Sequence, residues 1–388
     1  MIFCAAADIA GEPRATPLYG AAASLSAANS WTSVNGWAAA RVYTSVEEEY
    51  EHAAHGAALV DLGPFCRYTV RGESAADLLA RLTTTPVAEL GVGESARGLI
   101  LDGAGAVVDF AEIARLGGDL YLLTTTAPVD RRLQIAQRGF DVTVANVARD
   151  VAALGVVGPK AREAASAAGF DVQSAEMAAQ GRVRGVELAV RPINFGAAPG
   201  LEIVYPAEEA LTLWERLRRA GNLIAAGLDA LDILRIEGGT PRVGLDFISA
   251  DRARPGEAMT PIEIGLPHLA PPNRGWFSGR RAMSAAPAPE RLLAVLAVDA
   301  DEVAGASLVF FKGAAVGRVT SAAYSPELRR ALCFAELGAG AVGETFEIGR
   351  AGSGPRVGAV IRETAESRVA GAFRTSLKAA TDSRRPAV

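Results

Sequence analysis

The sequence has few of the residues that build metal centres and disulfide frameworks. Its 388 residues include only three cysteines, Cys4, Cys66 and Cys333, which lie far apart and form no Cys-x-x-Cys pair. This spacing argues against a zinc site and against a disulfide framework. Two of the three histidines, His52 and His55, have i, i+3 spacing on a predicted helix, but no third ligand accompanies them. No bound metal is therefore predicted.

The sequence also lacks an excess of basic residues and a long apolar run. Its net charge of −5 argues against a general nucleic-acid binder, which would carry a basic surface. No apolar stretch reaches the length needed to span a bilayer. Residues 1–17 have neither the basic start nor the apolar centre of a signal peptide. These absences predict a cytoplasmic protein with no nucleic-acid partner and no membrane partner.

The chain is too long for a single hydrophobic core, so several domains are expected. Residues 1–15, rich in alanine, are predicted to be a disordered lead. From Arg291 onwards, short apolar strands alternate with glycine turns, which predicts a small β-barrel domain over residues 286–366. Residues 16–285 form the larger region before it, and residues 367–388 are predicted to be a helical or disordered tail.

Residues 99–113 form the most informative stretch. An apolar run leads into a glycine turn, and a second apolar run follows that carries Asp109 and Glu112. A carboxylate inside an apolar strand is costly unless it is paired or exposed. The stretch is therefore either a hairpin whose acids lie on a solvated face, or a hairpin whose acids serve the function.

Several other segments have clear signals. Residues 16–29 predict an alanine-rich helix, residues 30–43 a loop or short hairpin, and residues 45–56 a helix that begins with a capping box. Helices are also predicted over residues 207–220 and 227–238. The glycine- and proline-containing residues 194–200 are predicted to be a loop, and an apolar strand with Glu202 follows it.

Eight short motifs then occur in the order in which the glycine-cleavage T-protein family has them. This family includes folate-dependent aminomethyltransferases, related dimethylglycine and sarcosine enzymes, and dimethylsulfoniopropionate demethylase. The similar segments are residues 16–19, 36–37, 57–62, 158–159, 231–239, 260–266, 276–282 and 317–321. The resemblance implies an α+β fold, namely the three-domain cloverleaf-like T-protein fold with a C-terminal β-barrel domain. Residues 16–285 would then hold two intertwined α+β domains around a central tetrahydrofolate channel.

The resemblance also implies site residues. Glu202 matches the family's folate-holding glutamate, although the loop before it departs from the family pattern, and a carboxylate can accept two N–H bonds from a pterin edge. The alternative for Glu202 is an ion pair with a nearby arginine. The residues predicted to contact the cofactor are Glu202, Tyr43, Tyr68, Phe110, Arg235 and Trp276. For each single aromatic residue, packing in the core is the alternative.

The family pattern breaks at its catalytic acid. Aligned on Gly105, the family's Asp-Asp pair falls on Asp109 and Phe110, so phenylalanine stands where the functional acid is expected. Because side chains alternate along a strand, Phe110 and Glu112 share a face and Asp109 faces the other way. A bulge could turn Asp109 inward, Glu112 could reach in from the proper face, or the acid could be lost. Asp109 and Glu112 are the predicted catalytic residues.

The resemblance implies a tetrahydrofolate-dependent one-carbon (methyl or methylene) transferase or demethylase. Its partner would be a small-molecule donor: a methylated amine, an ether or a sulfonium compound. The alternative is a folate-binding protein of the same fold that is non-catalytic or has altered chemistry. The family branch that assists iron–sulfur assembly is disfavoured, since residues 194–202 contain no cysteine. The sequence leaves homo-oligomerisation open.

Overall fold

The computed structural model describes residues 12–170, 179–183, 186–271, 275–285, 288–304, 307–338, 340–341, 345–350, 354–364 and 366–367. Contacts between Cα atoms divide the chain into two compact units. Unit 1 comprises Met1–Ile100, Asp109–Leu234 and Arg274–Ser278, and unit 2 comprises Leu101–Val108, Arg235–Asn273 and Gly279–Val388. Each unit is therefore built from segments that are distant in the sequence.

Short helices connect and cover the sheets. The described residues form α1 (Tyr19–Leu25), α2 (Val46–His55), α3 (Ala75–Leu82), α4 (Asp130–Ala136), α5 (Ala161–Ala167), α6 (Ala210–Ala220), α7 (Leu228–Gly238) and α8 (Arg280–Ser284). Helix α2 begins as the capping box predicts, because the hydroxyl of Ser45 accepts the backbone N–H of Glu48 at 3.2 Å.

Thirteen of the strands in the described residues precede residue 226. They are β1 (Ser30–Val34), β2 (Trp37–Val42), β3 (Ala58–Asp61), β4 (Cys66–Arg71), β5 (Ser95–Leu101), β6 (Val107–Arg115), β7 (Leu120–Thr125), β8 (Thr143–Asn146), β9 (Val151–Val157), β10 (Ala179–Val183), β11 (Val186–Phe195), β12 (Ala198–Pro206) and β13 (Ile224–Ala225). Strands β1 and β2 form a hairpin. The others form sheet I, in the order β5-β6-β7-β4-β8, and sheet II, in the order β10-β11-β12-β9-β3-β13.

One face of sheet II carries a hydrophobic core of unit 1. Alternate apolar residues of its strands, such as Leu154 and Ile203, pack with Trp214 and Leu217 of α6 and with alanines of α5. Residues of this face alternate with residues that point to the other face, as strand geometry requires. Arg191 and Glu202 belong to that other face, because their neighbours Val190, Leu201 and Ile203 lie in the core.

Unit 2 contains a closed antiparallel barrel of six strands. They are β14 (Arg291–Val298), β15 (Leu308–Phe311), β16 (Ala314–Ser325), β17 (Arg330–Gly338), β18 (Thr345–Gly349) and β19 (Arg356–Ile361). Their order is β14-β17-β16-β15-β18-β19, and β14 pairs with β19 to close the ring. The predicted α+β class and the C-terminal β-barrel are confirmed. The predicted boundaries at residues 16–285 and 286–366 stay a prediction.

Two sequence-based expectations need correction. Residues 194–200 do not form a loop. Strand β11 continues to Phe195, β12 begins at Ala198, and Phe195 pairs with Ala198 across a two-residue turn. Gly196 has a φ of 69°, which a tight turn requires and which glycine adopts without strain. At the end of the predicted disordered lead, Arg14 forms a β-bridge with Trp37, and its guanidinium lies 4.2 Å from the indole centroid. Residues 1–11 and the tail 368–388 lie outside the described residues.

Within the part of the chain that the structure describes, no helix has the length and apolar content to cross a membrane.

Gly158 shows how closely the elements of unit 1 approach one another. Its φ is +126°, and a Cβ atom there would lie 2.4 Å from the carbonyl oxygen of Gly56. We expect Gly158→Ala to lower the free energy of unfolding by about 1–3 kcal/mol, because it adds backbone strain and a clash. Gly118→Ala is the matched control, since a Cβ there meets nothing within 4 Å. Urea unfolding of both variants measures the difference, and equal midpoints would contradict the expectation.

Candidate active site

One row of polar side chains crosses one face of sheet I. It is the face on which Phe110 of β6 lies. Thr124 of β7 lies opposite Arg67 of β4 on one side and opposite Glu112 of β6 on the other. Directly opposite side chains lie on the same face, with Cβ atoms about 4.5–5.5 Å apart. The pairing of β6 with β7 is regular from Ala111 to Arg115, so alternation puts Phe110 on this face as well.

Sheet II contributes the ion pair that meets this row. Arg191 of β11 lies directly opposite Glu202 of β12. One carboxylate oxygen of Glu202 accepts Nη2 of Arg67 at 2.6 Å, and the other accepts Nε of Arg191. Arg67 also donates from Nη1 to the carbonyl oxygen of Leu62 at 2.9 Å. Glu202 therefore joins the two sheets of unit 1.

The ion pair extends to Glu112. Nη1 of Arg191 donates to Oε2 of Glu112 at 3.2 Å, and Nε of Arg97 lies 3.7 Å from Oε1. The guanidinium of Arg97 also covers the ring of Phe110, 4.8 Å from its centroid. Below, Arg67, Arg97, Glu112, Arg191 and Glu202 are called the charge cluster.

The inner part of the charge cluster is dry. The side chain of Glu202 is 0% exposed, and Arg67 and Arg191 are also buried, whereas 14% of the Glu112 side chain is exposed. Burial alone would raise the pKa of Glu202, but the charges of Arg191 and Arg67 outweigh it and hold that pKa below its usual value. Glu202 is therefore a carboxylate at neutral pH, fixed by two guanidinium groups.

Two polar atoms beside Glu202 have no partner inside the protein. Among the residues that the structure describes, neither Nε of Arg67 nor Oγ1 of Thr124 makes a hydrogen bond, although both atoms are buried. An unsatisfied buried polar group costs about 1–3 kcal/mol, so native proteins usually pair such groups with a ligand or water. This row can therefore bind a polar ligand.

A cleft of about 590 Å³ lies next to the row. Thr69 and Leu122 lie in its wall. They are directly opposite each other and form the next pair beside Arg67 and Thr124 on the same face of sheet I. Its other residues are mostly apolar: Leu116, Val147, Arg149, Asp150, Val151, Ala189, Val204, Tyr205, Pro206, Ala207 and Glu208. The volume and the mostly apolar lining suit a small molecule, and the polar row lies beside the cleft rather than in its lining.

Asp109 lies on the opposite face of sheet I. Its carboxylate accepts the hydroxyl of Thr126 and the backbone N–H groups of Ala127 and Phe110, both at 2.8 Å. Burial raises the pKa of Asp109 to about 7, and these hydrogen bonds oppose the rise only in part. No bulge turns it toward Glu112, so Asp109 acts in this structure as a support for β6 and not as a member of the charge cluster.

Within unit 1, two other predicted cofactor contacts, Tyr43 and Tyr68, lie on faces other than that of Glu202. Tyr43 packs in the core of sheet II, beside α6. Tyr68 faces the same way as Asp109, and its buried hydroxyl donates to Asp130 and accepts the N–H of Val129. Arg235 belongs to unit 2, where its guanidinium pairs with the buried carboxylate of Asp246. The role of Tyr43, Tyr68 and Arg235 as cofactor contacts stays a prediction.

Trp276 is 63% exposed, and the guanidinium of Arg81 lies 5.7 Å from its ring centroid. It lines a separate cavity of about 170 Å³ with residues 83–89 of unit 1. Trp276 is therefore available to a ligand, but at a place other than the charge cluster.

Sequence reasoning missed three members of the site: Arg97, Arg191 and Thr124. Strand alternation puts Arg67 and Thr69 on one face of β4, in agreement with the register. The ion pair of Glu202 with arginine was the alternative considered for that residue, and it is what the structure contains. In the described residues, no group of three or more histidine, cysteine, aspartate or glutamate side chains could hold a metal ion.

Asp109 gives a testable pH dependence. Its pKa of about 7 in the folded protein exceeds the ordinary 3.8, so between pH 4 and 7 the folded state binds more protons than the unfolded state. The contribution of Asp109 to stability therefore falls as the pH rises from 4 to 7 and is constant above about 8. Urea unfolding of the wild type and Asp109→Asn should give a stability difference that falls over this range. The exposed Asp119→Asn is the control, and a difference that rises with pH would contradict the assignment.

Comparisons with known proteins identify the family. The family model for the GCVT N-terminal domain matches residues 21–268, and that for the glycine cleavage T-protein C-terminal barrel domain matches residues 291–364. The aminomethyltransferase of Deinococcus deserti is 30% identical over 342 residues, which cover 86% of this chain and 91% of that protein. The aminomethyltransferase of Moorella thermoacetica is 27% identical over 351 residues, covering 86% and 92%.

A solved structure shares the fold. The glycine cleavage system aminomethyltransferase T from Bartonella henselae aligns with a TM-score of 0.79 at 21% identity, covering 91% of this chain and 98% of that one. Aminomethyltransferases of this kind use tetrahydrofolate. From the two family models and the Deinococcus relative, the chain belongs to the glycine cleavage T-protein family of folate-dependent aminomethyltransferases.

Proposed function

We propose that the chain binds a reduced folate between the two sheets of unit 1 and transfers a methyl or methylene group to it. The donor is a small methylated amine, ether or sulfonium compound. The observation that carries the proposal is the dry charge cluster with two unpartnered polar atoms beside a cleft of ligand size. Burying such a cluster costs free energy that an apolar core would not cost, which favours a role in binding beside its role in joining the two sheets.

The residues fit the chemistry of a reduced pterin. The pyrimidinone ring of a reduced pterin is planar and has N–H donors and a carbonyl acceptor on one edge, so it needs a carboxylate beside N–H or O–H donors. Glu112, Thr124 and Arg67 offer these groups in one row. The apolar wall that includes Leu122 suits the flat faces of the ring system.

Bound tetrahydrofolate would supply the nitrogen atom that accepts the one-carbon unit. The protein's own part is mainly orientation, because fixed geometry between two reactants can replace a large share of the barrier. Arg67 and Arg191, fixed by Glu202, make the binding face rigid. Exclusion of water around these charges strengthens every hydrogen bond made there. Glu112 is the more exposed acid of the charge cluster, so it is the one that a bound donor can contact.

A folate-binding protein with altered chemistry, or with none, is the second candidate. Phe110 favours it, since the position where the family's acid is expected holds an aromatic ring covered by Arg97. The curated relatives are named aminomethyltransferases, which favours an amine donor. Turnover of a donor separates the two candidates.

Folate binding is the first test. At a concentration one hundred times its Kd, tetrahydrofolate should stabilise the protein by about 2.7 kcal/mol, because a ligand of the folded state opposes unfolding. Isothermal titration measures the heat and the Kd of binding, and thermal unfolding measures the stabilisation. The control ligand is p-aminobenzoylglutamate, which lacks the pterin and should have little effect. Neither heat nor a thermal shift with tetrahydrofolate would refute the proposed function.

Transfer is the second test. The protein is incubated with tetrahydrofolate and methylated amines, aryl methyl ethers or sulfonium compounds, and methyl- or methylene-folate is measured. With an active donor, Glu112→Gln should lower kcat/KM at least tenfold, or about 1.4 kcal/mol of transition-state stabilisation. Glu336→Gln is the matched control, because Glu336 is also held by two arginines, Arg291 and Arg318, but lies in the barrel. Unchanged turnover in Glu112→Gln would exclude Glu112 from the reaction.

A further inference from the structure

A small cavity lies at the β5 edge of sheet I. Its volume is about 170 Å³, and its wall is formed by residues of two segments of unit 1, 80–89 and 275–277. The first segment is fixed to the sheet, because the backbone N–H of Thr84 donates to the carbonyl oxygen of Leu99 in β5 at 2.9 Å. One wall of the cavity is therefore built on a rigid element.

The wall of the cavity is mostly apolar. The hydroxyl of Thr83 donates to the carbonyl oxygen of Leu79 at 2.9 Å, and the hydroxyl of Thr84 accepts the N–H of Leu99 at 2.8 Å, so both are used within the protein. Among the described lining residues, Glu89 alone carries a charge. An apolar cavity of about 150 Å³ holds one benzene molecule. This cavity therefore has the size and polarity for a single aromatic ring.

Trp276 marks the place where the cavity meets the solvent. It belongs to the cavity wall, and 63% of its surface is exposed. Its position is fixed from the next residues, because Phe277 is buried and the N–H of Ser278 donates to the carbonyl oxygen of Arg81 at 3.2 Å. An indole held in this way can stack on a ring that enters the cavity.

Arg81 supplies a positive charge beside this opening. Its guanidinium lies 5.7 Å from the ring centroid of Trp276 and 5.8 Å from that of Phe140. The residue is exposed, and within the described part of the chain its guanidinium makes no hydrogen bond or ion pair. The two rings limit its motion, and its N–H groups stay available to a carboxylate, which a guanidinium can bind through two parallel hydrogen bonds.

We propose that this cavity binds a small aromatic carboxylic acid. The ring lies in the apolar cavity against Trp276, and the carboxylate pairs with Arg81. Glu89 sets the orientation, because it repels a carboxylate at its own end of the cavity. None of these residues belongs to the charge cluster, so the site is separate from the one proposed for folate and goes beyond the proposed function.

Two ligands of opposite charge test the assignment. Benzoate and benzylamine each have one ring, and isothermal titration should show at least tenfold weaker binding of benzylamine to the wild type. Arg81→Gln should weaken benzoate binding at least tenfold. Arg219→Gln is the matched control, because it removes an arginine that is 75% exposed on α6, and it should leave benzoate binding unchanged.

The fluorescence of Trp276 locates the ligand. Trp276 is the most exposed of the four tryptophans, so benzoate stacked on it should change the intrinsic fluorescence of the wild type. Trp276→Phe should lose this change and keep the Kd of benzoate within threefold, because phenylalanine also offers a ring face. Trp276→Ala should weaken benzoate at least fivefold. A fluorescence change that persists in Trp276→Phe would place benzoate elsewhere and overturn the assignment.

The remaining outcomes also decide. No binding of benzoate to the wild type, or equal binding to the wild type and Arg81→Gln, would overturn the inference and leave Arg81 as a residue that only covers its aromatic neighbours. Tighter binding of benzylamine than of benzoate would overturn it as well. Arg81→Gln should bind tetrahydrofolate as the wild type does, so this inference and the proposed function fail separately.

Discussion

The carboxylate of Glu202, buried between Arg67 and Arg191, is the interaction on which unit 1 depends. It joins β4 of sheet I to β11 and β12 of sheet II, which meet at no other charge pair as deeply buried among the described residues. Removing a carboxylate from water is expensive, and two guanidinium groups with further hydrogen bonds are needed to offset it. Loss of one partner would leave a buried charge, so the spacing of the two sheets is fixed by electrostatics as well as by packing.

This constraint explains why the groups proposed to bind the ligand lie on one face of sheet I. The face toward Glu202 carries Arg67, Thr124 and Glu112, whereas the opposite face carries Asp109 and Tyr68, whose polar atoms are used within the protein. Asp109 supports β6 from behind, through backbone N–H groups on both β6 and the segment after β7. Asp109 and Glu112 therefore have different surroundings, because side chains an odd number of residues apart on a strand point to opposite faces.

Much of the fold could be predicted from the sequence, and part of the site could. Order and spacing of motifs indicated the family and its barrel, and alternation correctly separated Phe110 and Glu112 from Asp109. The partners of Glu202 could not be predicted, because Arg67 lies 135 positions away and no local pattern encodes so distant a pairing. The positions of aromatic side chains were equally hard to predict. A tyrosine such as Tyr43 or Tyr68 looks the same in the sequence whether it lines a pocket or fills a core, and here both are buried.

Phe110 links the divergence of the sequence to its chemistry. A carboxylate at this position would face Arg97, whereas the phenyl ring is covered by that guanidinium and leaves Arg97 near Glu112. In the proposed function, the acid of this face lies two residues further along β6, which is one repeat of the strand and leaves it on the same side. Phenylalanine at position 110 leaves the groups proposed to bind folate in place. It changes the surroundings of the one-carbon donor. Membership of the family therefore specifies the acceptor of the one-carbon unit more closely than its source.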